Sequence, residues 1–210
     1  MGAIYSKVAG PLGPNSIPNN TLILPEAIDP NLKLGSNFES QALPTVAAPG
    51  KLGAPAGAFN PSGGGTLRED MDLKIDPDRF TDRRTLLSKL DALRRRVDDS
   101  GLLEGADRIQ QQAFDVLTAG IGKAFDLSDE DPRTVARYDT RPLFDQKILH
   151  RWGDMRRATN LLGMQMLMAR RLVEQGAGFV TVSDCGWDYH ANNNSPKNME
   201  GLYPMGGQVD

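Results

Sequence analysis

Nine of the chain's 14 prolines and ten of its 22 glycines fall within residues 1–66, beside only six of its 51 charged residues (Lys7, Glu26, Asp29, Lys33, Glu39 and Lys51). Proline removes a backbone donor and glycine raises the entropy cost of ordering, so this third of the chain cannot carry long helices. It reads as ordered loop around one strand, Thr21-Leu22-Ile23-Leu24, ended by Pro25. Met1 to Tyr5 reads as the tail of a helix. Asn60-Pro61-Ser62-Gly63-Gly64-Gly65 reads as a turn or flexible tip. As a phosphate cradle it lacks both the Lys-Ser/Thr ending and a preceding apolar strand.

The pattern changes to helical over 81–175. Leu86, Leu87, Leu90, Leu93 and Val97 share one face, and Asp98-Asp99-Ser100-Gly101 stops that helix. Ile109, Ala113, Val116, Leu117 and Ala124 mark a second stripe, which suggests a helical hairpin. Arg94-Arg95-Arg96 reads as the solvated side of the first helix, because acidic residues surround it. Asp131-Pro132 and Arg141-Pro142 interrupt the helices. A long helix then spans about 154–174, with Ala158, Leu161, Leu162, Gln165, Ala169, Leu172 and Val173 as its buried stripe and Met164, Met166 and Met168 widening the apolar surface. Met on such a face serves as core filler or lines a partner groove.

Gln175-Gly176-Ala177-Gly178 ends this helix, and Phe179-Val180-Thr181-Val182-Ser183 follows as a buried-type strand. A helix, a tight glycine turn and an apolar strand make half of an α/β unit, and parallel strands need such crossovers. The segment just beyond the strand, Asp184 to Asn194, packs two carboxylates, an imidazole, a thiol and three amides into eleven residues. In open α/β sheets ligands bind at the carboxyl ends of strands. Asp188 and His190 are two apart, so in an extended loop both point the same way and can share one divalent cation. The competing reading is a loop in which Asp188 caps a turn and His190 bonds the backbone. Two protein ligands do not complete a catalytic metal site, which needs at least a third. Cys185 reads as an inert, buried thiol, since the adjacent Asp184 disfavours the thiolate. His150, beside Arg151-Trp152, reads as a surface or helix-packing residue.

Charge and composition exclude several classes. A net charge of -3 lacks the basic stripe of a nucleic-acid binder. One cysteine and two histidines exclude a disulfide framework, a Cys-rich zinc site and a His-only metal cluster. The best membrane candidate, the uncharged run 158–169, would span about 18 Å as a helix against about 30 Å of hydrocarbon. Gly2 and Ser6 match the short N-myristoylation pattern, with no polybasic run or second lipid site beside them.

The order Arg170-Arg171-Leu172-Val173-Glu174-Gln175-Gly176, Phe179-Val180-Thr181-Val182 and Gly186-Trp187-Asp188-Tyr189-His190-Ala191-Asn192 resembles the bacterial family catalogued as domain of unknown function 1501, a sulfatase-like branch of the alkaline phosphatase superfamily. Leu24-Pro25-Glu26-Ala27, Leu34-Gly35-Ser36-Asn37-Phe38, Pro61-Ser62-Gly63-Gly64-Gly65, Arg79-Phe80 with Asp82-Arg83-Arg84, and Gln111-Gln112-Ala113-Phe114 extend the resemblance over nearly the whole chain. It implies one α/β domain over 1–210: part of a three-layer α/β/α sandwich of the alkaline phosphatase and sulfatase type, with a loop-rich N-terminal third (1–66), a helical middle (81–175) and a strand with its metal-site loop (176–210). It implies a metal-dependent hydrolase of phosphate or sulfate esters, small or polymeric, with Asp188 and His190 as ligands to a divalent metal ion. Superfamily members use two such ions. The alternative is a non-catalytic binding or surface protein that keeps the fold.

The family's Gly-Gly-Pro-Ser-type, Gly-Glu-Phe/Met-Gly-Arg-Thr and Gly-Arg-Asp-His segments do not occur in these 210 residues. The resemblance thus implies an internal piece of a longer enzyme, inactive by itself, whose nucleophile and remaining ligands lie elsewhere. Cys185-Gly186-Trp187 does not fit the sulfatase modification motif. Family members often carry a twin-arginine export signal, and Arg156-Arg157 and Arg170-Arg171 are internal helix pairs that cannot serve as one.

Overall fold

The computed structural model describes residues 1–29, 47–61, 76, 78–86, 121–143, 161–183, 206–207 and 209. The chain opens with helix α1 (Gly2–Ala9) and enters strand β1 (Asn20–Ile23). The rest of the N-terminal third consists of single 3-10 turns at Pro14–Ser16, Pro25–Ala27, Gly50–Leu52 and Ala54–Ala56. Three of the four carry Pro in the first turn, where a missing N–H costs nothing. Helix α2 (78–86) begins at Asp76, whose Oδ1 accepts from the amides of Asp78 and Arg79 at 2.9 and 3.3 Å. A 3-10 run (Ile121–Phe125), helix α3 (Pro132–Arg137), helix α4 (Leu161–Glu174) and strand β2 (Phe179–Val182) follow.

Strands β1 and β2 pair in parallel, with Asn20 opposite Phe179 and Ile23 opposite Val182. On the other side of β1, Phe59 donates to Asn20 O and accepts from Leu22 N, both at 2.8 Å. All four residues of β1 are therefore buried, whereas those of β2 are half-buried. The fold is mixed, with helices around a small parallel sheet.

Side chains alternate across the strands, so each face meets a different helix. Ile23, Val180 and Val182 pack with Met168 and Leu172 of α4, and the same cluster takes in Ile17, Ala124, Phe125 and Ala177. Phe125 also meets Phe59, ring centroids 5.6 Å apart. Asn20 and Phe179 face α1. A Cβ on Gly2 would lie 2.1 Å from Asn20 Oδ1, and one on Gly178 would lie 2.1 Å from the Tyr5 ring. Gly2 and Ser6 are the buried residues of α1. Their spacing, which matches a lipidation pattern, is the small-residue face that lets this helix sit close to the sheet.

The turn between α4 and β2 has a physical cause. Gly176 adopts φ +108°, and the amides of Gly176 and Ala177 donate to Val173 O and Leu172 O, both at 2.9 Å. This pairing closes a Schellman motif, with Ala177 and Leu172 meeting in the core. Asn19 locks the turn to the N-terminal loop, its side chain donating to Gly10 O at 3.0 Å and accepting from Gly178 N at 3.1 Å.

Four expectations change. The N-terminal strand starts at Asn20 rather than Thr21 and ends at Ile23; Asn20 fits there because its side chain donates to Ala56 O at 3.1 Å. Asp131-Pro132 opens a helix rather than only interrupting one, since Asp131 Oδ1 accepts from Arg133 N at 3.2 Å. Val173 is 55% exposed, because it lies a further 100° round the helix from buried Leu172. Among the methionines, Met168 is core filler and Met166 faces outward. Leu87, Leu90, Leu93, Arg94-Arg95-Arg96, Val97, Ile109, Ala113, Val116, Leu117, His150 and Ala158 lie outside the described residues. Among the described residues no helix is long and apolar enough to cross a membrane.

Candidate functional site

Parallel pairing brings the carboxyl ends of β1 and β2 to one edge of the sheet. Three residues define that edge. Ile23 ends β1 and is followed by the turn Pro25–Ala27, which contains Glu26. Ser183 follows β2, buried, with its amide donating to Ile23 O at 3.0 Å. Gln165 reaches the edge from α4, fully buried. Its Nε2 donates to Ser183 O at 2.8 Å and to Ile23 O at 3.3 Å. Two carbonyl partners fix the orientation of the amide, because only nitrogen can donate to both.

The edge is short of donors. Among the described residues the buried side-chain polar atoms without a partner are Gln165 Oε1 and Glu26 Oε2, and both are oxygens of residues at this edge. Elsewhere the buried polar side chains of the strand region are satisfied: Asn19, Asn20 and Thr21 each bond a backbone carbonyl. The two bonds from Gln165 contribute about 1 kcal/mol each, and the unmade acceptor costs about 1–3 kcal/mol. An apolar side chain of the same size would remove the unmade acceptor but leave Ser183 O without this donor, so the amide is kept at the edge by the bonds it donates.

Sequence reasoning placed Gln165 in the buried stripe without a functional role. A lone long amide within the apolar run 161–169 was the available signal. Asp188 and His190, the metal ligands expected from the family motif, lie outside the described residues, as do Asp184, Cys185 and Trp187. Among the described residues no group of three or more His, Cys, Asp or Glu is placed to hold a metal ion. Arg171 of α4 bonds Glu130, and Arg170 bonds Glu174 one turn on. The Arg141 guanidinium hydrogen-bonds Asp139 and holds its carboxyl below the usual range.

These features define an α/β chain whose two strands bring their carboxyl ends and a buried amide to one edge. The chain belongs to the family described as "Protein of unknown function (DUF1501)", whose model matches residues 1–208. No curated protein and no solved structure matches it.

Proposed function

We propose that this chain builds part of the metal-bearing edge of a phosphoesterase- or sulfoesterase-like hydrolase, with Asp188 and His190 as ligands to a divalent cation. The observation that carries the reading is the parallel pair β1–β2, whose shared carboxyl edge leads within one residue past Ser183 into the Asp184–Asn194 segment. Covalent connectivity alone keeps the Asp188 Cα within about 18 Å of Ser183. The chemistry of the edge suits a cation. It offers two buried oxygens without donors and strand-end carbonyls, and the Asp184–Asn194 segment carries two carboxylates and one imidazole. Oxygen and imidazole nitrogen together suit a divalent first-row metal or magnesium. Helices on both faces of the sheet support the three-layer alkaline phosphatase-type architecture, in which a bound metal would polarise an ester oxygen.

The test is metal binding by the 210-residue chain. Wild type is expected to bind Mn2+ or Zn2+ in a calorimetric titration, and Asp188→Ala and His190→Ala are each expected to weaken it by at least about tenfold. Equal binding in all three proteins, or none in any, refutes the assignment.

A further inference from the structure

Glu26 Oε2 and Gln165 Oε1, the two buried oxygens without a donor among the described residues, belong to segments that meet. The Gln165 nitrogen donates to Ile23 O at 3.3 Å. Glu26 follows Ile23 by three residues, which keeps the Cα atoms of Ile23 and Glu26 within about 11 Å of each other. The turn Pro25–Ala27 packs against α4, and Ala27 shares a core cluster with Met168, which lies one turn past Gln165 on that helix. Gln165 is 0% exposed and its nitrogen is committed to two carbonyls, so the amide cannot flip to offer a donor where Oε1 stands. Glu26 is half-buried, and among the described residues no cationic side chain pairs with it. A buried carboxylate oxygen without a countercharge costs more than a neutral acceptor does, and either is rare in a native fold.

We propose that Glu26 Oε2 and Gln165 Oε1 are ligands to a divalent cation of the hard, oxygen-seeking calcium type, seated where the turn Pro25–Ala27 meets α4. Carboxylate and amide-carbonyl oxygens are the donors such an ion takes, with waters filling its remaining positions. These two residues bring no nitrogen or sulfur ligand that would favour zinc or copper. One carboxylate and one amide predict weak binding, with a Kd on the order of millimolar. A buried water could donate to both oxygens but would leave the carboxylate charge unbalanced, which favours the cation. The site is built from described residues alone and is separate from the assignment of Asp188 and His190.

Ca2+ is the probe, added to the 210-residue chain at constant ionic strength and followed by thermal unfolding and calorimetric titration. Wild type is expected to gain thermal stability as Ca2+ rises through the millimolar range, because an ion held by the folded state alone stabilises it. Glu26→Gln keeps the size of the side chain and removes its charge. It is expected to bind Ca2+ at least about tenfold more weakly and, without Ca2+, to melt no lower than wild type, since the unbalanced charge is gone. Gln165→Met removes the amide oxygen and is expected to weaken Ca2+ binding by a similar factor. His190→Ala is expected to keep the full Ca2+ response. No response in wild type, or an equal response in Glu26→Gln, overturns the proposal and leaves a buried water as the donor to both oxygens. A Glu26→Gln variant that unfolds or melts lower without Ca2+ gives the carboxylate a structural role and overturns it too, as does a response lost in His190→Ala. Should Gln165→Met unfold, Gln165→Asn takes its place. An undiminished response in whichever folds, or unfolding of both, removes Gln165 as a ligand and overturns the pairing.

Discussion

Replacing Gly176 by alanine tests the joint between α4 and β2, on which the carboxyl edge depends. Two effects add. A φ of +108° lies outside the left-handed region that an L-residue reaches, and holding a side chain there costs about 1–3 kcal/mol. The new Cβ would also sit 2.9 Å from the Pro14 carbonyl oxygen and 3.2 Å from Pro14 Cδ. That clash is with backbone and a rigid ring, so the loop must move, at about 1–3 kcal/mol by analogy with overpacked cores. Gly50→Ala is the control. Gly50 has φ +56°, and its added Cβ would meet nothing within 4 Å. Its left-handed penalty of about 1–2 kcal/mol is partly offset by the lower entropy of the unfolded alanine chain. The same unfolded-chain offset applies to Gly176→Ala, so urea unfolding followed by circular dichroism should show Gly176→Ala destabilised by about 2–5 kcal/mol and Gly50→Ala by about 1 kcal/mol. In a thermal melt the first corresponds to a Tm drop of about 5–15 °C for a chain of this size. If the two variants agree within about 0.5 kcal/mol, the Gly176 turn is not packed against Pro14 as described.

Other perturbations probe separate parts of the account. Leu172→Ala, at a fully buried position between α4 and the sheet, should cost about 2–5 kcal/mol in the same urea assay, and a cost near zero would remove Leu172 from the core. Asp139 is held below its ordinary pKa chiefly by its hydrogen bond from Arg141. Its contribution is therefore present above the unfolded carboxylate value and is lost as pH falls through the lower folded value. Arg141→Ala should flatten that acid-side loss of stability, and an unchanged pH profile would show the pair to be uncoupled from folding.

The strands and α4 were legible because their signals are local. A β-branched run bounded by glycine and a period of 3.6 ending at Gln175-Gly176 specify themselves within about ten residues. Their pairing was legible only as a class, parallel through a crossover. The register of Asn20 on Phe179 joins positions 159 residues apart, and no local pattern carries it. The exposure of Val173 was missed because an apolar residue near a helix end fits two stripes until the packing partner is known. Gln165 was found on its face, yet its role depends on two carbonyls from other segments, which periodicity does not contain. The Asp188–His190 pair was legible by spacing and family motif, and it lies outside the described residues.

The most direct measurement is the metal content of the purified 210-residue chain by elemental mass spectrometry, wild type beside His190→Ala, with folding of both confirmed by circular dichroism. After equilibration with excess Zn2+, the account, with Asp188 and His190 as a two-ligand part of a site, predicts divalent metal in wild type, below full occupancy, and its loss in the variant. Metal-free wild type, or equal metal in both, would contradict it and leave a chain that keeps the parallel edge without the chemistry proposed for it.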